Sequence, residues 1–96
     1  MAAELKGPYK VKVTVTEIRG EHKCWLGHKV GDSWILADGL TPANFCQSAF
    51  GAVYPAVNLL RNGGSFWFST DKDVVAASCP DPAVMVQFEV RRLPRD

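Results

Sequence analysis

Three cysteines and one histidine carry most of the chemistry available to this chain of 96 residues. Cys24 and His28 share the stretch "CWLGHKVGD", with Gly27 just ahead of the imidazole. Cys46 and Cys79 stand in separate segments. Thiolate and neutral imidazole are both good zinc ligands, and structural zinc takes four in a tetrahedron. Cys24, His28, Cys46 and Cys79 therefore form a candidate Cys3His set for zinc or another soft or borderline ion. With all four ligands from the protein the ion is structural. With three it keeps an open position and can activate water. The spacing is not a tandem Cys-x-x-Cys pattern, and two of the ligands come from distant segments.

The same residues support a second chemistry that needs no cofactor. Helix signals begin at Asn44, a capping residue, with Gln47 in the capping-box relation. Cys46 then falls in the first helical turn, where free N–H groups and the helix dipole favour an anion and hence a thiolate. Cys46 becomes a nucleophile or acid/base group, with His28 as its imidazole partner. The alternative is a Cys46 packed inertly beside Phe45, Ala49 and Phe50, as free cysteines often are. His22, between Glu21 and Lys23, reads as a solvated side chain. Asp32, Asp38, Asp71, Asp73 and Asp81 all fall in loop segments and declare no acid/base couple.

Aromatic residues offer a third possibility. Phe66, Trp67 and Phe68 are consecutive in "GGSFWFSTDKD", so a strand there sends Trp67 opposite the phenylalanines. Trp25, Tyr54 and Trp67 are candidates to line a pocket for a small organic ligand. The alternative is ordinary packing at the core and its rim, or burial of residues 66–68 in a homodimer.

The elements that must position these groups follow from periodicity. "YKVKVTVTEI" alternates, with Val11, Val13 and Val15 on one face. "AVMVQFEVRR" does the same with Val84, Val86, Phe88 and Val90. Both read as half-buried strands of one antiparallel sheet. "SWILAD" and "DVVAASC" are shorter strands, the latter turned back by Pro80-Asp81-Pro82 to form a hairpin with the last strand. Phe45, Ala49, Val53, Ala56 and Leu60 recur at helical spacing, and Asn62-Gly63-Gly64 supplies the stop. Pro55 interrupts this segment, predicting a kink or two short helices. Thr41-Pro42 is an alternative helix start. The fold class is α+β: a small antiparallel sheet of about four strands with one Pro-interrupted helix packed across it. Residues 1–96 form a single domain, with 1–8 as a frayed lead-in.

Composition narrows the function classes. The chain is 47% hydrophobic with a formal net charge of +1 and scattered basic residues. No basic stripe invites nucleic acid, and no apolar run suits a membrane span or a secretory leader. An odd number of cysteines disfavours a closed disulfide framework. These observations predict a cytoplasmic protein. The expected function is a small binding protein with a Cys/His site holding a zinc-like ion. The alternatives are a cofactor-independent enzyme using Cys46 and His28, or a structural or regulatory homodimer.

Several spaced motifs coincide. "C-x-x-G-H-K-V-G-D", "F-C-x-S-A-F-x-A-x-Y-P", "L-R-x-G-G" and "C-P-D-P" lie between Cys24 and Pro82. Together they resemble an uncharacterised family of short bacterial and archaeal proteins, a resemblance that covers Tyr9 to Arg92. Its pattern matches Cys24, His28, Cys46, Cys79, Tyr54-Pro55 and Gly63-Gly64. Members often carry proline where this chain has Trp25. The resemblance implies no activity, but it implies that the thiols and His28 form one site.

Overall fold

In the computed structural model, which describes residues 8–20 and 23–95, alternating valines build the centre of a sheet. Strand β1 (Val11–Gly20) places Val11, Val13 and Val15 fully inside. Strand β4 (Val84–Arg92) buries Val84, Val86, Phe88 and Val90 on the same side. The two pair antiparallel along almost their whole length. Strand β2 (Ser33–Leu36) joins the outer edge of β1. Strand β3 (Val74–Ser78) forms the expected hairpin with β4, giving the order β2-β1-β4-β3.

A bulge at Thr16 shifts the β1–β4 register between Val15 and Glu17. One extra residue reverses the inside–outside alternation of the bulged strand. Ile18 thereby turns inward opposite Val86, and the charged Glu17 turns out. The Thr16 hydroxyl donates to the Gln87 carbonyl at 3.2 Å and secures the irregularity. Residues 1–7 of the expected lead-in, and His22, lie outside the described residues.

Helix α1 (Gln47–Arg61) covers the valine face with Ala49, Val53, Ala56, Val57 and Leu60. It departs from the sequence expectation at its start. Asn44 adopts φ +63°, a left-handed conformation that cannot lead directly into the helix, so Cys46 becomes the N-cap. The Asn44–Gln47 capping box is therefore not formed. The helix also runs unbroken for 15 residues through Pro55 rather than splitting in two. Gly51, Tyr54 and Pro55 all face outward. The Gly51 carbonyl that loses its partner can hydrogen-bond to water instead. The stop is as read: Gly63, at φ +89°, donates to the Leu60 carbonyl and Gly64 to that of Leu59. This pair of bonds is a Schellman motif.

Arg92 fastens the far end of α1. Its side chain is 7% exposed and reaches Asp73 at 2.8 Å. It also donates to the Leu60 and Gly64 carbonyls at 3.0 and 2.7 Å, and to that of Lys72 at 3.0 Å. A buried guanidinium is tolerable only when its donors are satisfied in this way. Replacing Arg92 with leucine strands those carbonyls and should cost about 3–5 kcal/mol in urea unfolding. Asp73→Asn should cost clearly less, since Asp73 is a third exposed and the carbonyl bonds survive. Equal losses in the two variants would show that the ion pair, not the carbonyl cage, is what matters.

Candidate functional site

The four donors singled out in the sequence border a common space. Cys24, His28, Cys46 and Cys79 all line one cavity of about 430 Å³ at the N-terminal end of α1. Three segments build it. The loop between β1 and β2 contributes Cys24, Trp25, Leu26 and His28. The start of α1 contributes Cys46, Ser48 and Ala49. The β3–β4 hairpin contributes Cys79, the Pro80-Asp81-Pro82 turn, Val84 and Val86. The wall is mostly apolar, and all three cysteines are free thiols.

His28 holds the first two segments together. The residue is 8% exposed. It meets Trp34 and Phe45 edge-on, with centroids 5.0 and 6.1 Å away. Nε2 accepts the backbone N–H of Cys46 at 3.0 Å. A neutral imidazole whose Nε2 accepts must carry its proton on Nδ1. Nε2 therefore serves the Cys46 backbone rather than its thiol, so no thiol–imidazole pair is formed through that atom. Phe45 stacks on the buried Phe88 at 5.6 Å, which ties this corner to the core.

Cys79 is also engaged. Its Sγ accepts the Val86 N–H at 3.2 Å and donates to the Val84 carbonyl at 3.6 Å. The thiol thus completes the hairpin where β3 ends. Cys24 and Cys46 are half-buried, and neither thiol has a hydrogen-bond partner among the described residues. Among the described residues, no three His, Cys, Asp or Glu side chains are arranged to hold a metal ion. The four candidate ligands share a cavity without converging on a point.

The aromatic candidates separate. Trp25 lines the thiol cavity, and its Nε1–H donates to Asp81 at 3.1 Å. Tyr54 lies on another groove with Leu40 and Arg61. Trp67 is 93% exposed, in a turn with Phe68 beside it. A common pocket of Trp25, Tyr54 and Trp67 is thus not formed. Tyr54 sits on the outward side of α1, and the 62–73 loop belongs to the helix's opposite end. The loop carboxylates serve local structure: Asp32 accepts Lys29 N–H, Asp38 accepts Leu40 N–H, and Asp71 accepts Asp73 N–H.

Sequence reasoning missed Leu26, Ser48, Ala49, Val84 and Val86 as lining residues, because an apolar cavity wall reads like core or loop. Asp81 was visible only as a turn residue. The N–H groups of Ala83 and then Val84 hold its carboxyl below the usual carboxylate range, with a smaller contribution from Trp25. A group shifted in this direction adds stability above its unfolded pKa and loses it as pH falls through the folded one. The Trp25–Asp81 tie across the cavity should therefore persist at neutral pH and release only in acid, below the ordinary carboxylate range. The Trp25 indole N–H resonance, followed by NMR, should move in that acid range. In Asp81→Ala it should take the released position at every pH; an unresponsive resonance would contradict the tie.

No helix among the described residues is long and apolar enough to cross a membrane. No family model matches the chain, and neither a curated protein nor a solved structure matches it.

Proposed function

We propose that the protein binds a small organic molecule in the cavity at the N-terminal end of α1, with the Cys24 and Cys46 thiols in its wall. The observation that carries this reading is the cavity itself. Its volume of about 430 Å³ and mostly apolar lining suit a small organic molecule. A single ion needs four donors within bonding distance of one point. The Cys24 and Cys46 thiols have no hydrogen-bond partner among the described residues, which leaves them free to touch a ligand.

A zinc-like ion is the second reading, favoured by the sharing of one cavity by three thiols and an imidazole. It requires His28 to release the Cys46 N–H or to bind through Nδ1. It also requires Cys79 to give up its bonds to the hairpin backbone. In the enzymatic alternative Cys46 acts as nucleophile, with a base other than His28 Nε2. Three free thiols fit a reducing compartment, so the cytoplasm is the proposed location. The exposed Trp67 and Phe68 offer a contact for a homodimer, which a concentration-dependent mass would reveal.

The direct test is a fragment screen by heteronuclear NMR on the whole chain, free of added metal. Binders should shift the Leu26, Cys46, Cys79 and Val86 amides together and slow N-ethylmaleimide labelling of Cys24 and Cys46 several-fold. Hits confined to the Tyr54 groove, or none at all, would refute organic-ligand binding here. About one zinc per purified chain, lost in Cys24→Ser and Cys46→Ser, would favour the ion instead.

A further inference from the structure

We infer that the ligand carries a carboxylate, seated on the first turn of α1 and on His28 Nδ1–H. This deepens the proposed binding function and rests on it. The first N–H groups of a helix have no partner within the helix and are normally met by the N-cap side chain. Here the N-cap is Cys46, whose side chain makes no capping bond, and no acidic residue stands in the first turn. The first bond inside the helix is the Phe50 N–H to the Cys46 carbonyl at 2.8 Å. The N–H groups of Ser48 and Ala49 are thus without a partner among the described residues, and both residues line the cavity.

His28 supplies an independent indication. The residue is more than nine-tenths buried and lines the same cavity. Because Nε2 accepts, Nδ1 carries the proton, and this N–H has no partner among the described residues. Among the described residues, no fully enclosed side-chain nitrogen or oxygen is left without a hydrogen bond. Nδ1 therefore belongs to the small part of the residue that stays accessible, and the residue lines the cavity.

The unused polar groups here are donors: two backbone N–H groups, the Nδ1–H and the Ser48 hydroxyl. The positive end of the helix dipole adds a preference for negative charge. Among the described residues of the lining, Asp81 is the one charged side chain, and its carboxylate is already held by Ala83, Val84 and Trp25. The apolar wall formed by Leu26, Pro80, Pro82, Val84 and Val86 faces the rest of the molecule. The matching ligand class is a small organic acid with an apolar body.

Benzoate and benzamide are suitable probes, alike in shape and different in charge. Benzoate should shift the Ser48 and Ala49 amides and the His28 Nδ1 resonance saturably, and benzamide should bind at least tenfold more weakly. Cys46→Asp places a carboxylate on the same N–H groups. It should lose at least tenfold in benzoate affinity while its melting temperature holds or rises. Ser48→Pro, which removes one donor at a position where a helix tolerates proline, should weaken it several-fold and serves if Cys46→Asp does not fold. Equal affinity for the two probes, or unchanged benzoate binding in Cys46→Asp, overturns the carboxylate assignment and leaves the organic-ligand reading standing. Absence of benzoate binding overturns the assignment as well, and the fragment screen then decides the broader reading separately.

Discussion

The hydrogen bond from the Cys46 N–H to His28 Nε2 is the contact on which the rest of this corner depends. It crosses from a glycine-rich loop to the residue that starts the helix. The loop has some closure of its own: Gly27 N–H reaches the Cys24 carbonyl, and Asp32 and Gly31 exchange backbone bonds with Val15. None of those bonds reaches α1. His28 does, and its flanking rings join the loop to the Phe45–Phe88 stack in the core. The contact also fixes the tautomer. A backbone donor on Nε2 sends the imidazole proton to Nδ1, so one bond sets both where Cys46 sits and what His28 can offer a ligand.

Helix α1 is held at both ends by residues distant in sequence, and the two ends are treated differently. At the C-terminal end the Schellman bonds satisfy part of the backbone, and Arg92 takes the Leu60 and Gly64 carbonyls. The guanidinium is stacked over by Tyr9, 5.1 Å from the ring centre. That end is closed. At the N-terminal end His28 meets only the N-cap N–H, and Ser48 and Ala49, whose N–H groups have no partner among the described residues, line the cavity. The difference does not come from helix length or core packing, because the same apolar face runs from Ala49 to Leu60. It comes from which side chains the neighbouring loops bring in.

The scaffold was readable because its signals are local and periodic. Alternating valines in β1 and β4 name the buried face, and the helical spacing from Ala49 to Leu60 names the element that covers it. The Pro80-Asp81-Pro82 turn announced the last hairpin. The helix start was misread because Asn44 is a good capping residue by type, whereas its left-handed φ is set by the path of the loop. Pro55 was over-weighted because its cost depends on whether the orphaned carbonyl can reach water, and exposure is a tertiary property. The sharing of one cavity by Cys24, His28, Cys46 and Cys79 was legible only as a hypothesis. Residue type suggested it, but the duties taken by His28 Nε2 and Cys79 Sγ are backbone contacts without a sequence signature.

The capping position itself argues that this end of the helix is kept for something other than stability. Serine or aspartate at the N-cap typically stabilises a helix by about 1 kcal/mol over a residue that cannot cap. This chain has a thiol there, a weak acceptor that makes no capping bond. Asn44 and Ser48 stand two residues to either side, so polar residues are not excluded from the neighbourhood. A capping side chain would occupy the Ser48 and Ala49 N–H groups and fill part of the space between α1 and the β3–β4 hairpin. Leaving the cap unmade keeps those donors available and the cavity open. The same geometry that forgoes local stabilisation thus creates a place where an acceptor from outside the chain is the natural partner.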